Sequence, residues 1–134
     1  MMNAKPEYVS LLIGTNNISN TGDDNINQVA REIAAGIGTI CKIIHHKSPE
    51  TQILLFSVLP RNEPNSFNMQ KVDAVNNIIR TFDGHYGIQF IDMVPNFRNP
   101  NGTLVTSFYN DDNLHLVGPG YEFWTNKIME VIGD

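Results

Sequence analysis

Cysteine is nearly absent from the sequence: Cys41 stands alone. An intramolecular disulfide and a cysteine-rich zinc site are therefore excluded, and the redox compartment is left open. Basic residues are also sparse. The 9 Lys and Arg against 14 Asp and Glu leave a net charge of −5, and the cations form no run or stripe. That balance argues against a nucleic-acid partner, which needs a clustered basic surface. No apolar stretch is long enough to span a membrane, and residues 1–7 are polar, with no signal-peptide core. The default expectation is a cytoplasmic protein, and it lapses if the natural chain begins further upstream. Internal repeats, low-complexity tracts, a second-domain linker and a Gly-rich phosphate loop are missing too.

What is there is an ordinary globular composition. The 134 residues, 41% hydrophobic and 17% charged, suit one domain over residues 1–134 with a real core. Residues 8–13 are an apolar run stopped by Gly14, read as a strand with both faces covered because alternation is nearly absent. Residues 14–17, Gly-Thr-Asn-Asn, follow as a loop. Asp23 or Asp24 is placed to cap a helix whose face carries Ile26, Val29, Ile33, Ile37, Ile40 and Ile44. Gly36 and Gly38 weaken that helix, and close packing on a sheet would explain them. Ser48-Pro49 ends it.

Residues 53–56 form a second strand, followed by Leu59-Pro60-Arg61 and a polar Asn/Pro loop. Ser66 or Asn68 opens a second helix with Val72, Val75, Ile79 and Phe82 inward, and Gly84 and Gly87 bracket the turn into a third strand at 88–92. Residues 93–113 read as a long irregular loop. The last helix starts near Pro119 and turns Tyr121, Trp124, Ile128 and Val131 inward. Alternating strands and helices imply an α/β fold with a parallel sheet and right-handed crossovers. Working residues of such sheets gather beyond the C-terminal strand ends. The loops at 14–17, at 58–61 and before His115 are therefore expected to share one cleft.

The stretch that carries chemistry is Asp112-Asn113-Leu114-His115, just before Gly118-Pro119-Gly120. An Asp three residues before a His suits a carboxylate that accepts from one ring nitrogen and leaves the other free to take a proton. Asp111 competes for the same role. The plainer alternative is a histidine capping the last helix or packed on Trp124. Asn16 is a turn residue or a side-chain amide donor, and Arg61 a loop cation or a substrate contact. His45-His46 complements the negative end of its helix, and no third ligand stands at metal-binding spacing. Cys41 and Trp124 read as core.

Taken together and in order, these motifs resemble the SGNH (GDSL-type) hydrolases, most of all the platelet-activating-factor acetylhydrolase catalytic subunits. Gly14-Thr15-Asn16-Asn17 is similar to that family's Gly-x-Asn-Asp block, Asp112-Asn113-Leu114-His115 to its Asp-x-x-His block, and Leu59-Pro60-Arg61 with Pro64-Asn65 to the loop after its fourth strand. The resemblance covers about residues 5–132. It implies a flavodoxin-like three-layer sandwich and an esterase acting on small-molecule esters without cofactor or metal. His115 would be the general base, Asp112 its orienting partner and Asn16 the oxyanion donor, with Gly14, Asn17 and Arg61 as candidate substrate contacts. One block departs from the family. No Ser stands in a Gly-Asp-Ser context, and the sequence begins where the family's third strand would be. The expectation is an N-terminally truncated hydrolase domain lacking its first strands. Its first strand is too apolar for a protected edge, so it is expected to self-associate or to take a partner chain there. The alternative is a catalytically dead remnant that serves as a binding module.

Overall fold

The computed structural model runs β1 (Tyr8–Leu11), α1 (Thr15–Ser19), α2 (Ile26–Lys47), β2 (Gln52–Phe56), α3 (Phe67–Ile79), β3 (Ile88–Ile91), α4 (Val94–Phe97) and α5 (Gly118–Ile132). Short 3-10 turns occupy Arg80–Phe82 and Thr106–Phe108. The structure describes residues 7–19 and 25–133, except the side chains of Asn16 and Ser19.

The three strands form a parallel sheet in the order β1-β2-β3. Tyr8 lies opposite Gln52, and Phe56 opposite Ile91. Ile53, Leu54, Leu55 and Phe56 of the central strand are all fully buried, because helices cover both faces of a parallel sheet. Their side chains alternate between two cores. Ile53 and Leu55 pack with Ile33, Ile37, Val72 and Val75 of α2 and α3. Leu54 and Phe56 pack with Phe97, Trp124 and Ile128 on the other side. The result is a three-layer α/β/α sandwich. Both crossovers step across the sheet in one direction, which puts α2 and α3 on the same face.

Several expectations need correction. β1 ends at Leu11 and is not covered on both faces: Tyr8 is exposed, and Val9 to Leu11 are half-buried. It is the outer strand among the described residues, so it has a neighbour on one side only. Leu12 and Ile13 leave the ladder but still pack, one against each core. The segment after Gly14 is a one-turn helix, α1, and not a loop. Gly14 adopts φ +114°, and a Cβ there would lie 2.9 Å from a Val58 methyl carbon, so the position takes only glycine. The Ile18 N–H then closes onto the Gly14 carbonyl at 3.0 Å, and the fully buried Ile18 side chain anchors the turn.

The expected caps Asp23 and Asp24 lie outside the described residues. Asn25 caps α2, its side-chain oxygen accepting from the Gln28 N–H at 3.1 Å. The buried stripe is Ala30, Ile33, Ala34, Ile37 and Cys41, which leaves Ile40 42% exposed on the flank. Neither helical glycine marks close packing on the sheet. A Cβ on Gly36 would meet nothing within 4 Å, and one on Gly38 only the Phe82 ring at 3.5 Å. Ser66 caps α3, accepting from the Met69 N–H at 3.1 Å. Residues 93–113 hold α4 and a 3-10 turn as well as irregular chain, because Phe97 and Leu104 are anchored in the second core. Tyr121 is 51% exposed, although it shares the stripe of Trp124, Ile128 and Val131. The first turn of α5 overhangs the cleft, not the sheet.

Candidate active site

Asp112 and His115 are folded into one tight turn. Asn113 sits in the left-handed region at φ +56°, which Asn tolerates. That conformation lets Asp112 Oδ1 accept both the Leu114 and the His115 backbone N–H, each at 2.9 Å. The other carboxylate oxygen, Oδ2, lies 2.5 Å from His115 Nδ1. The hydrogen bond from the His115 ring, followed by the two backbone bonds, pulls the Asp112 carboxyl down to about 2 despite its exposure. The carboxylate is thus ionised near neutrality and its partner nitrogen Nδ1 carries the proton. In the neutral imidazole this tautomer places the lone pair that a general base needs on Nε2. Asp111 takes no part, its backbone N–H donating to Asn110 Oδ1 at 2.9 Å.

All three strand-end segments meet around a small cavity of about 150 Å³ beside His115. Ile13 and Thr15 line it from the β1 exit, Leu59 to Arg61 from the β2 exit, and Leu114 to Leu116 from the histidine turn, with Tyr121 across from them. Hydrogen bonds join the three segments. Arg61 Nη1 donates to the Thr15 carbonyl at 2.9 Å and its Nε to Asn62 Oδ1 at 2.7 Å. The Asn62 N–H donates to the Asn113 carbonyl at 2.9 Å, and the Tyr109 hydroxyl to the Pro60 carbonyl at 2.5 Å. The histidine turn is therefore fixed against the β2 exit from two directions.

The candidate residues take different places. His115 and Arg61 are in the cavity wall, but Arg61 is only 4% exposed and acts as a strut between β-exit segments. Its burial lowers its pKa. Gly14 is buried beneath the wall, where it allows the chain to pass Val58 closely. Asn17 is exposed outside the wall. The Asn16 backbone lies in the first turn of α1, and its side chain lies outside the described residues.

Four contributors were not read from the sequence. Tyr109 and Asn62 act through long-range hydrogen bonds that leave no local pattern. Tyr121 was assigned to the core by its helical spacing. Gly120 did have a signal in the Gly-Pro-Gly break: a Cβ there would fall 2.6 Å from the Phe108 carbonyl oxygen, so only glycine lets α5 start against the loop.

Among the described residues no serine or cysteine lines the cavity. Ser57 is fully buried with its hydroxyl accepting from the Met93 N–H at 2.9 Å, Ser66 is a helix cap, and Ser10 lies within β1. Also among the described residues, no group of three or more His, Cys, Asp or Glu is arranged to hold a metal ion. No helix there is long and apolar enough to cross a membrane.

The chicken platelet-activating factor acetylhydrolase IB subunit alpha2 is 30% identical over 133 residues, 97% of this chain and 53% of the relative. The human subunit alpha1 is 28% identical over 120 residues, 87% of this chain and 47% of the relative. The chain thus spans about half the length of the curated relatives it matches. A GDSL-like lipase from Bacteroides thetaiotaomicron superposes with a TM-score of 0.73 at 24% identity, over 95% of this chain and 62% of that one. The esterase domain of a zebrafish retrotransposon protein does so with a TM-score of 0.66 at 17% identity, over 78% of this chain and 63% of that one. These two likenesses establish the fold. The family model for GDSL-like lipases and acylhydrolases matches residues 2–123, nearly the whole sandwich together with the histidine turn, and the chain accordingly belongs to the GDSL-like lipase/acylhydrolase family.

Proposed function

We propose that this protein is a serine esterase or acylhydrolase for small ester substrates, in which these residues supply the base and the acyl side of the site. The observation that carries the reading is the 2.5 Å pairing of Asp112 with His115 Nδ1 at the mouth of an apolar cavity where the strand ends meet. A seryl hydroxyl attacks the ester carbonyl as His115 Nε2 takes its proton. The tetrahedral oxyanion is held by donors that include the Asn16 side chain, each such donor being worth roughly a hundred- to a thousandfold in rate. The proton passes to the departing alcohol, and water then releases the acid by the same route. A cavity of about 150 Å³ between Leu59, Leu116 and Tyr121 fits an acetyl or similarly short acyl group.

The serine itself comes from outside the described cleft, on a strand that pairs with the outer edge of β1. Support for this lies in the half-buried Val9 and Leu11 of an edge strand, an arrangement that invites further pairing. The strand belongs to further sequence of the same protein or to a partner chain. The test is p-nitrophenyl acetate hydrolysis by the chain and by His115→Ala, with size-exclusion mass on the same samples. The chain by itself is expected near background. An assembly that supplies the serine is expected to hydrolyse the ester and to lose at least about a thousandfold in His115→Ala. Hydrolysis that survives His115→Ala would overturn the assignment.

The lack of a serine or cysteine in the described cavity wall favours a second reading, a catalytically dead remnant that binds through its β1 edge. That reading predicts assembly without hydrolysis under every condition.

A further inference from the structure

The end of the sandwich opposite His115 holds a larger cavity of about 470 Å³, between the C-terminal half of α2 and the turn into β3. Half-buried Gly38 and Phe82 line it together with the exposed Thr39, Lys42, His85 and Tyr86. Features that cost stability converge here. Gly38 interrupts a 22-residue helix without any close backbone approach to justify it. Tyr86 holds φ +52°, a left-handed conformation that a bulky side chain adopts rarely. The Tyr86 ring, 47% exposed, has Lys42 Nζ 5.7 Å from its centroid and the His45 ring centroid 5.5 Å away in a T-shaped contact. His45 Nδ1 is buried with no hydrogen-bond partner among the described residues. Unpartnered buried polar atoms and strained backbone concentrate where a fold serves something other than stability.

The charge is also out of character with the molecule. The chain carries −5 overall, yet no carboxylate lines this cavity, while Lys42 and His85 do. The nearest acid in sequence, Asp83, already accepts from the Phe90 N–H at 2.8 Å through Oδ1. A groove of about 470 Å³ that brings the Phe82 ring and the Lys42 ammonium together has the size and chemistry of a small-molecule site.

We propose that this cavity binds a small organic monoanion with a flat apolar body, such as an aryl carboxylate, its ring over Phe82 and Gly38 and its carboxylate at Lys42. Glycine at position 38 leaves the space for the ring, and Tyr86 is held in its strained conformation to form the opposite wall. The site lies apart from the His115 cavity and does not depend on the esterase reading.

The probe is benzoate, titrated into the ¹⁵N-labelled chain and followed by amide chemical shifts, with benzyl alcohol as the uncharged control. Benzoate is expected to move the Gly38, Lys42, His85 and Tyr86 amides, and benzyl alcohol to bind about tenfold more weakly or not at all, as befits a charge-assisted hydrogen bond. Lys42→Ala is expected to weaken benzoate by about tenfold. Gly38→Leu, which fills the groove while improving the helix, is expected to abolish binding in a protein with unchanged or higher Tm. Equal affinity for benzyl alcohol, shifts confined to the His115 cavity, or unaltered binding in folded Gly38→Leu would each overturn the proposal. Should Gly38→Leu fail to fold, the Lys42→Ala titration decides: unaltered benzoate affinity there overturns it too.

Discussion

The two faces of the sheet are covered by helices that are buried to different degrees. Under α2 and α3 the core residues Ile33, Ile37, Val72, Val75 and Ile79 are buried. On the opposite face α5 presents Phe123, Trp124, Ile128 and Val131 only half-buried, and Gly120 is its one buried residue. Trp124 Nε1 is even enclosed there without a partner among the described residues. The crossover face is a finished core. The α5 face is a looser cover, and it carries the histidine turn at its start. Sites and the elements that frame them are commonly drawn from the less stable part of a fold.

Mutations sharpen the contrast. Ile79→Ala removes a fully buried side chain from the crossover face and is expected to cost about 2–5 kcal/mol in urea denaturation. Tyr109→Phe keeps the ring against Phe97 but leaves the buried Pro60 carbonyl unpaired, and is expected to cost about 1–3 kcal/mol. It should also broaden the His115 ring signals, since the β2 exit is no longer fixed to the loop before the turn. Ile128→Ala, on the half-buried α5 face, is expected to cost about 1 kcal/mol. A cost for Ile128→Ala equal to that for Ile79→Ala would erase the difference between the faces.

The smallest effect is a pH dependence. The Asp112 carboxyl is lowered from 3.8 to about 2 in the folded chain. A lowered folded value means that the stabilisation is present above 3.8 and is lost as pH falls toward 2. The Tm difference between the wild type and Asp112→Asn is therefore expected to shrink toward zero as pH falls through that acid window. A difference that persists below it would remove the Asp112–His115 bond as its cause.

Elements with a strong local period were legible. The central strand showed itself as four consecutive apolar residues, and α3 through Ser66 and the spacing of Val72, Val75 and Ile79. The Asp112–His115 pair was legible for the same reason: three residues is the reach of one turn. Burial was less so. Ile40 and Tyr121 have the right spacing yet are exposed, because which part of a helix touches the sheet depends on where that helix lies, not on its own sequence. Gly14 and Gly120 were visible as glycines, but the Val58 methyl and the Phe108 carbonyl that require them are distant in the chain.

By itself, then, the sequence determined the strand–helix alternation and the histidine turn, since each rests on contacts within a few residues, and the alternation in turn implied a parallel sheet. Only the tertiary structure decided that Arg61 is a buried strut, that Tyr109 holds the β2 exit and that Tyr121 faces the cleft. The Arg61 and Tyr109 hydrogen bonds join groups 46 and 49 residues apart, and no local pattern encodes such pairings.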